Sequence, residues 1–149
     1  MENYKTELEI KATAEKVYAA LTQEIPLWWT EMFEGAADRE QNTFTVRFGD
    51  SVYKTMAVTE LRRNVIVVWN VKDSLIQIPE LKNQTEWIGT TIIWEIRSAG
   101  ENSILQLTHV GLQPAVECYE ICTAGWQQFT TSLKSFLETG KGTPFKQMS

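Results

Sequence analysis

The sequence is short of the residues that most chemistry needs. It has one histidine, His109, two cysteines, Cys118 and Cys122, and four prolines in 149 residues. Zinc prefers three or four closely spaced ligands. His109, Cys118 and Cys122 do not make such a motif, and thiols one helical turn apart read as small core residues, so no metal is expected. No glycine-rich phosphate loop is present, because the eight glycines are scattered as turn and cap positions, and no cofactor is expected. No basic run exceeds Arg62-Arg63, and fourteen basic against nineteen acidic residues leave a net charge of −5. Nucleic acid binding needs a clustered basic footprint, and anionic lipid repels an acidic chain. No stretch approaches the roughly 18 uncharged apolar residues of a membrane span. The polar start, Met1-Glu-Asn-Tyr-Lys-Thr-Glu, carries no apolar signal segment. A cytoplasmic location with reduced cysteines is expected, and the Asn83-Gln84-Thr85 sequon then has no role. With no repeat, linker or low-complexity segment, the chain reads as one domain over 1–149, its tail from about 141 to 149 flexible.

What is plentiful is tryptophan: Trp28, Trp29, Trp69, Trp87, Trp94 and Trp126. A buried large aromatic hides about 150–250 Å², roughly 4–6 kcal/mol of gross burial at about 25 cal/mol/Å². Either the core is unusually bulky or some rings border a cavity.

Alternation gives most of the elements. Tyr4, Thr6, Leu8 and Ile10 oppose Lys5, Glu7, Glu9 and Lys11, a half-buried strand. Thr13 is a good N-cap for a short helix with Val17, Ala20 and Leu21 inside. Pro26 suits the first turn of a second short helix carrying Leu27, Trp28, Trp29 and Phe33. Strands follow at 43–48, 52–61 and 65–71, the first two joined by Gly49-Asp50-Ser51. Residues 72–87 show no clear period and read as a long loop of the functional or mobile kind. A hairpin over 88–97 and 103–111 comes next. Cys122, Trp126, Phe129, Leu133 and Phe136 recur at steps of 4, 3, 4 and 3, one face of a helix over about 116–138 that Gly140 ends. The expected fold is α+β: a curved antiparallel sheet of six or seven strands, two short N-terminal helices, and one long C-terminal helix gripping the concave face. The space between sheet and helix is the natural ligand site.

Three segments in this order resemble the helix-grip proteins of the START and birch-pollen-allergen type, the SRPBCC superfamily, and within it the homologues of the activator of heat shock protein 90 ATPase. They are Ile10-Lys-Ala-Thr-Ala-Glu-Lys-Val-Tyr-Ala-Ala-Leu-Thr22 leading to Trp28-Trp29, then Thr90-Thr-Ile-Ile-Trp-Glu-Ile96 with Leu105-Gln-Leu-Thr-His-Val-Gly-Leu112, then Gly125-Trp-Gln-Gln-Phe-Thr-Thr-Ser-Leu-Lys-Ser-Phe-Leu-Glu-Thr-Gly140. The resemblance implies a fold and a cavity rather than one reaction. Superfamily members bind lipids, sterols, polyketides or hormones, and some are cyclases or oxygenase subunits.

The first function this supports is non-catalytic binding of a small hydrophobic or amphipathic molecule, as a monomer or weak homodimer. Inward parity and helix face nominate Trp28, Trp29, Phe44, Phe48, Trp69, Trp94, Leu107, His109, Trp126 and Phe129 as its walls, with Trp87 able to cap the mouth. A second is an enzyme of the cyclase or hydrolase kind. His109, on the row of Leu105 and Leu107, would be its acid/base, although a core histidine bonded to a neighbouring hydroxyl fits the same pattern. Glu95 is the other acid/base candidate, but alternation turns it opposite Trp94, toward solvent. A third, implied by the resemblance alone, is a co-chaperone-like activator acting on a chaperone partner.

Overall fold

Seven strands close into one antiparallel sheet in the order β1-β7-β6-β5-β4-β3-β2. The structure, a computed structural model, describes residues 3–49, 52–77, 87–112 and 119–146. Strand β1 (Tyr4–Ile10) leads to helix α1 (Ala14–Gln23), a 3-10 turn (Ile25–Leu27) and the short β2 (Phe33–Gly35). The meander β3 (Thr43–Arg47), β4 (Val52–Arg62), β5 (Ile66–Ile76), β6 (Thr91–Ala99) and β7 (Asn102–Val110) follows, then helix α2 (Tyr119–Thr139). This is the α+β helix-grip architecture expected: a curved sheet carrying a long C-terminal helix.

Local chemistry explains the joints. The Thr13 side chain accepts from the Lys16 N–H at 3.4 Å, capping α1, whose Val17, Ala20 and Leu21 are buried. The second helix is shorter than expected. Pro26 starts a single 3-10 turn, and Trp28, at φ −134°, leaves helical geometry. Its indole N–H donates to the Ala20 carbonyl at 2.8 Å instead. Phe33 falls in β2, not in a helix. At the other end, Gly140 adopts φ +84°, and its N–H bonds the Phe136 carbonyl at 2.8 Å. That is the left-handed stop expected of a glycine after the last turn.

Two further expectations change. Strand β5 continues to Ile76, into what reads as a loop. Thr55 pairs with Asp73 but Met56 with Val71, so Lys72 is an extra residue in the ladder. The bulge shifts the inward row from Val67, Trp69 and Val71 to Ser74 and Ile76, which erases the period. Residues 78–86 of the expected loop lie outside the described residues, as do Cys118 and the sequon at 83–85.

The tail is docked through residue 146. The Phe145 N–H donates to the Trp29 carbonyl and its own carbonyl accepts from Glu31 N–H, at 2.8 and 3.0 Å. Its ring meets Phe48 edge-on. Ser132 Oγ donates to the Trp28 carbonyl and accepts from Thr143 N–H, both at 2.7 Å. A Cβ on Gly142 would stand 2.4 Å from the Leu27 carbonyl oxygen, so the strap lies this close only because that residue is glycine. An apolar anchor and three hydrogen bonds to Thr143 and Phe145 replace the freedom expected of a polar tail.

Candidate functional site

Inward rows of the sheet face one side of α2, and rings fill most of the space between. Trp29 is the centre. It stacks on Trp28 at 5.6 Å and 6°, stacks on Trp69 at 5.8 Å and 11°, and tilts against Trp126 at 5.4 Å. Trp94 meets Trp28, Trp69 and Trp126 edge-to-face, and Trp87 stacks on Trp126 at 5.7 Å. All six tryptophans thus belong to one network of ring contacts.

The network is solid on one side and hollow on the other. Trp28, Trp69, Trp94, Phe44, Leu107 and His109 are at most 1% exposed, and none of them lines the cavity beside Trp29. Their rings and chains interlock, so these six expected wall residues are filling. Trp29, Phe48, Trp126 and Phe129 do border a cavity, of about 170 Å³. It lies between the free end of the β4–β5 ribbon and the first turns of α2. Val52, Lys54 and Ile76 close it from the sheet. Ile121, Cys122 and Gly125 close it from the helix, and Trp87 lies across one side. Ile121 is 42% exposed and marks the opening.

Sequence reasoning missed Lys54. It is only 7% exposed, on the inward row of Met56 and Val58. Its ammonium sits 4.3 Å from the Trp87 ring centroid and 5.0 Å from that of Phe48, a cation held on aromatic faces. Strict parity with Val52, Met56 and Val58 was the available signal. Cys122, read as a core residue, accepts the Trp87 indole N–H at 3.0 Å, fixing that ring beside the opening.

His109 is committed elsewhere. The Trp126 indole N–H, which can only donate, points at Nδ1 at 3.1 Å. The neutral ring therefore carries its proton on Nε2, 2.8 Å from Thr90 Oγ1. That hydroxyl donates onward to the Trp87 carbonyl at 2.6 Å. The chain ties α2, β7, the start of β6 and Trp87 together. Burial, and then the charge of Lys54, lowers the His109 pKa from 6.5 to about 3, so the ring is neutral near pH 7. Both nitrogens are used within the protein. Glu95 stands exposed on the outer face of β6. Neither acid/base candidate borders the cavity. Among the described residues no three His, Cys, Asp or Glu side chains gather as metal ligands would, and no helix is long and apolar enough to cross a membrane.

The two indole environments make a contrast that can be measured. Trp94 Nε1 is buried without a hydrogen-bond partner, whereas Trp126 Nε1 satisfies His109. Trp126→Phe strands a buried acceptor, worth about 1–3 kcal/mol; Trp94→Phe removes an unpaired donor. Urea unfolding is expected to rank Trp126→Phe as the costlier by about that amount. Equal costs would remove the histidine bond from the account.

The family described as Activator of Hsp90 ATPase homolog 1-like protein matches residues 11–138. The Aha1 dimer from Colwellia psychrerythraea, determined in solution, is similar at 29% identity and a TM-score of 0.77, over 95% of this chain and 100% of that one. The protein MLL2253 from Mesorhizobium loti shares the fold at 18% identity and a TM-score of 0.70, over 90% and 96% of the two chains. The protein SSP2350 from Staphylococcus saprophyticus does so at 15% identity and 0.69, over 93% of each. No curated protein matches the chain.

Proposed function

Because the chain belongs to the activator of Hsp90 ATPase homolog 1-like family, whose fold makes a pocket under its long helix, we propose that it is a binding protein that holds a small apolar or amphipathic molecule there. The supporting observation is the ring-walled cavity of about 170 Å³. An apolar cavity of about 150 Å³ is enough to admit benzene, so the ligand places one ring, or a chain of like volume, among Trp29, Trp87, Trp126 and Phe129. Anything longer emerges past Ile121. Three of those four wall residues are tryptophans, so occupancy reports itself. Titrating a panel of lipids, sterols and single-ring compounds against tryptophan fluorescence, with native mass spectrometry for a co-purified molecule, tests the reading. A flat response to the whole panel, with no bound mass, would sink it.

A second reading is favoured by the similarity to the Aha1 dimer over nearly the whole of this chain: activation of a heat shock protein 90 ATPase through an outer surface, by a monomer or a weak homodimer in the cytoplasm. An ATPase rate unchanged by added protein counts against the activation. A single monomer mass in light scattering at high concentration counts against the dimer.

A further inference from the structure

One wall of the cavity is supported by a residue that does not line it. Phe48 borders the cavity just past the end of β3, before Gly49 at φ +81°. Its ring packs on Trp29 at 6.2 Å, Phe129 at 5.5 Å and Phe145 at 5.6 Å. Trp29 and Phe129 are cavity walls themselves, whereas Phe145 is not. The Phe145 ring stands against Phe48 at 67°, and its Cζ lies 4.0 Å from where a Cβ on Gly49 would be. It therefore backs both the wall ring and the turn that follows. Such backing holds only if the support is itself fixed. The Phe145 N–H donates to the Trp29 carbonyl and its carbonyl accepts from the Glu31 N–H, in a parallel bridge with Thr30 between them. Upstream, Ser135 Oγ donates to the Lys141 carbonyl at 2.8 Å, and Thr143 N–H donates to Ser132 Oγ at 2.7 Å. The strap over 141–146 is thus tied to α2 on one side and to residues 29–31 on the other.

We propose that Phe145 sets the width of apolar ligand that the cavity admits, as a positioning residue acting through Phe48. The proposal rests on the binding reading above and names what limits its ligand. A wall ring in a close-packed interior yields only into space behind it. Phe145 occupies that space, so a ligand wider than one ring presses Phe48 against a second ring that the strap anchors. Truncating Phe145 to alanine frees room behind Phe48, because the surroundings relax only in part around lost atoms. Apolar space of this kind accepts apolar ligand. The strap backbone keeps its bonds to Trp29 and Glu31 in that variant, so the cavity widens on the Phe48 side while the rest of its wall stays in place.

The test uses the full chain with benzene and 1,3,5-trimethylbenzene, read by calorimetry. The second compound is wider than the first in every in-plane direction, so letting one end emerge past Ile121 does not accommodate it. The wild type is expected to bind benzene more tightly. In Phe145→Ala the ratio of the two affinities should shift toward 1,3,5-trimethylbenzene by at least about tenfold, with benzene affinity held within about threefold. Phe145→Leu, which refills part of the space, should shift the ratio by about threefold; if Phe145→Ala does not fold, this variant decides alone. Phe136→Ala removes another partly buried ring, on α2, that does not line the cavity. It controls for lost stability and should leave the ratio unchanged. An unchanged ratio in the Phe145 variants, an equal shift in Phe136→Ala, or equal binding of both compounds by the wild type overturns the role of Phe145 and leaves the binding reading standing. If the wild type binds neither compound, nor any other ring or chain compound, the binding reading falls and the proposal with it.

Discussion

Lowering the pH from 6.5 to about 4 is expected to cost the fold about 3 kcal/mol through His109 alone. In the unfolded chain the imidazole titrates near its ordinary 6.5; in the fold, burial and then Lys54 bring it to about 3. Between those values the unfolded state holds one more proton than the native state. Stability therefore rises with pH across this window, by about 1.4 kcal/mol per unit, and is lost on acidification. The effect is fully expressed above pH 6.5 and exhausted below about 3. The geometry gives the native ring no easy way to accept a second proton. Nδ1 already takes the Trp126 indole N–H, and an added proton there would face a donor. The control is His109→Gln, which keeps an amide donor and acceptor and does not titrate. Exposed ion pairs such as Arg97–Glu7 and Arg47–Glu34 are common to both proteins and cancel in the difference. Urea unfolding from pH 7 to 4 should show the wild type's advantage over His109→Gln shrinking by about 3 kcal/mol. Parallel curves would mean that the ring is not neutral and locked as drawn.

The legible and the hidden parts of this fold differ for a physical reason. Alternation reports which way a side chain points, so the strands at 4–10, 43–47 and 52–62 and the inward placement of Trp69, Trp94 and His109 could be read directly. The hydroxyl partner of His109 could be read as one of two alternatives, and Thr90 supplies it. Parity does not report depth. Whether an inward ring fills space or borders it depends on how rings from distant segments interlock. Trp28 and Trp29 are adjacent in sequence, yet one is filling and the other is both hub and wall. The extension of β5 was hidden by a single bulged residue, Lys72, which breaks the period of two. Strand β2 spans three residues, too few for any period to show. Lys54 was hidden by its chemistry: a lysine in a strand is taken for a surface residue unless its parity is counted. Phe145 was hidden because the polar tail around it carries no pattern, and its anchoring is a contact with Phe48 and the backbone at Trp29 and Glu31.

Trp29→Ala is expected to be the most damaging single truncation in the core, by about 3–5 kcal/mol. The side chain is 2% exposed and meets four other rings: Trp28, Trp69, Trp126 and Phe48. Its loss removes the burial of a large aromatic and also the offset stacks worth about 0.5–1.5 kcal/mol each. Relaxation cannot recover much, because the neighbours are themselves pinned. Trp28 is held by its bond to Ala20, Trp126 by His109, and the Trp29 backbone by Phe145. Against a typical stability of about 5–15 kcal/mol, the variant stays near the threshold of folding, with Tm lowered by roughly 6–20 °C. The space released is continuous with the cavity of about 170 Å³, so the same variant should bind larger apolar molecules than the wild type. The two readouts separate the roles of the ring. A hub gives a large loss in the urea midpoint; a wall gives altered ligand size selection. Trp29→Phe, which keeps one ring, should fall between the wild type and Trp29→Ala in both. A cost below about 1 kcal/mol for Trp29→Ala would show that the ring merely fronts the cavity, and that the tryptophan network is held together without it.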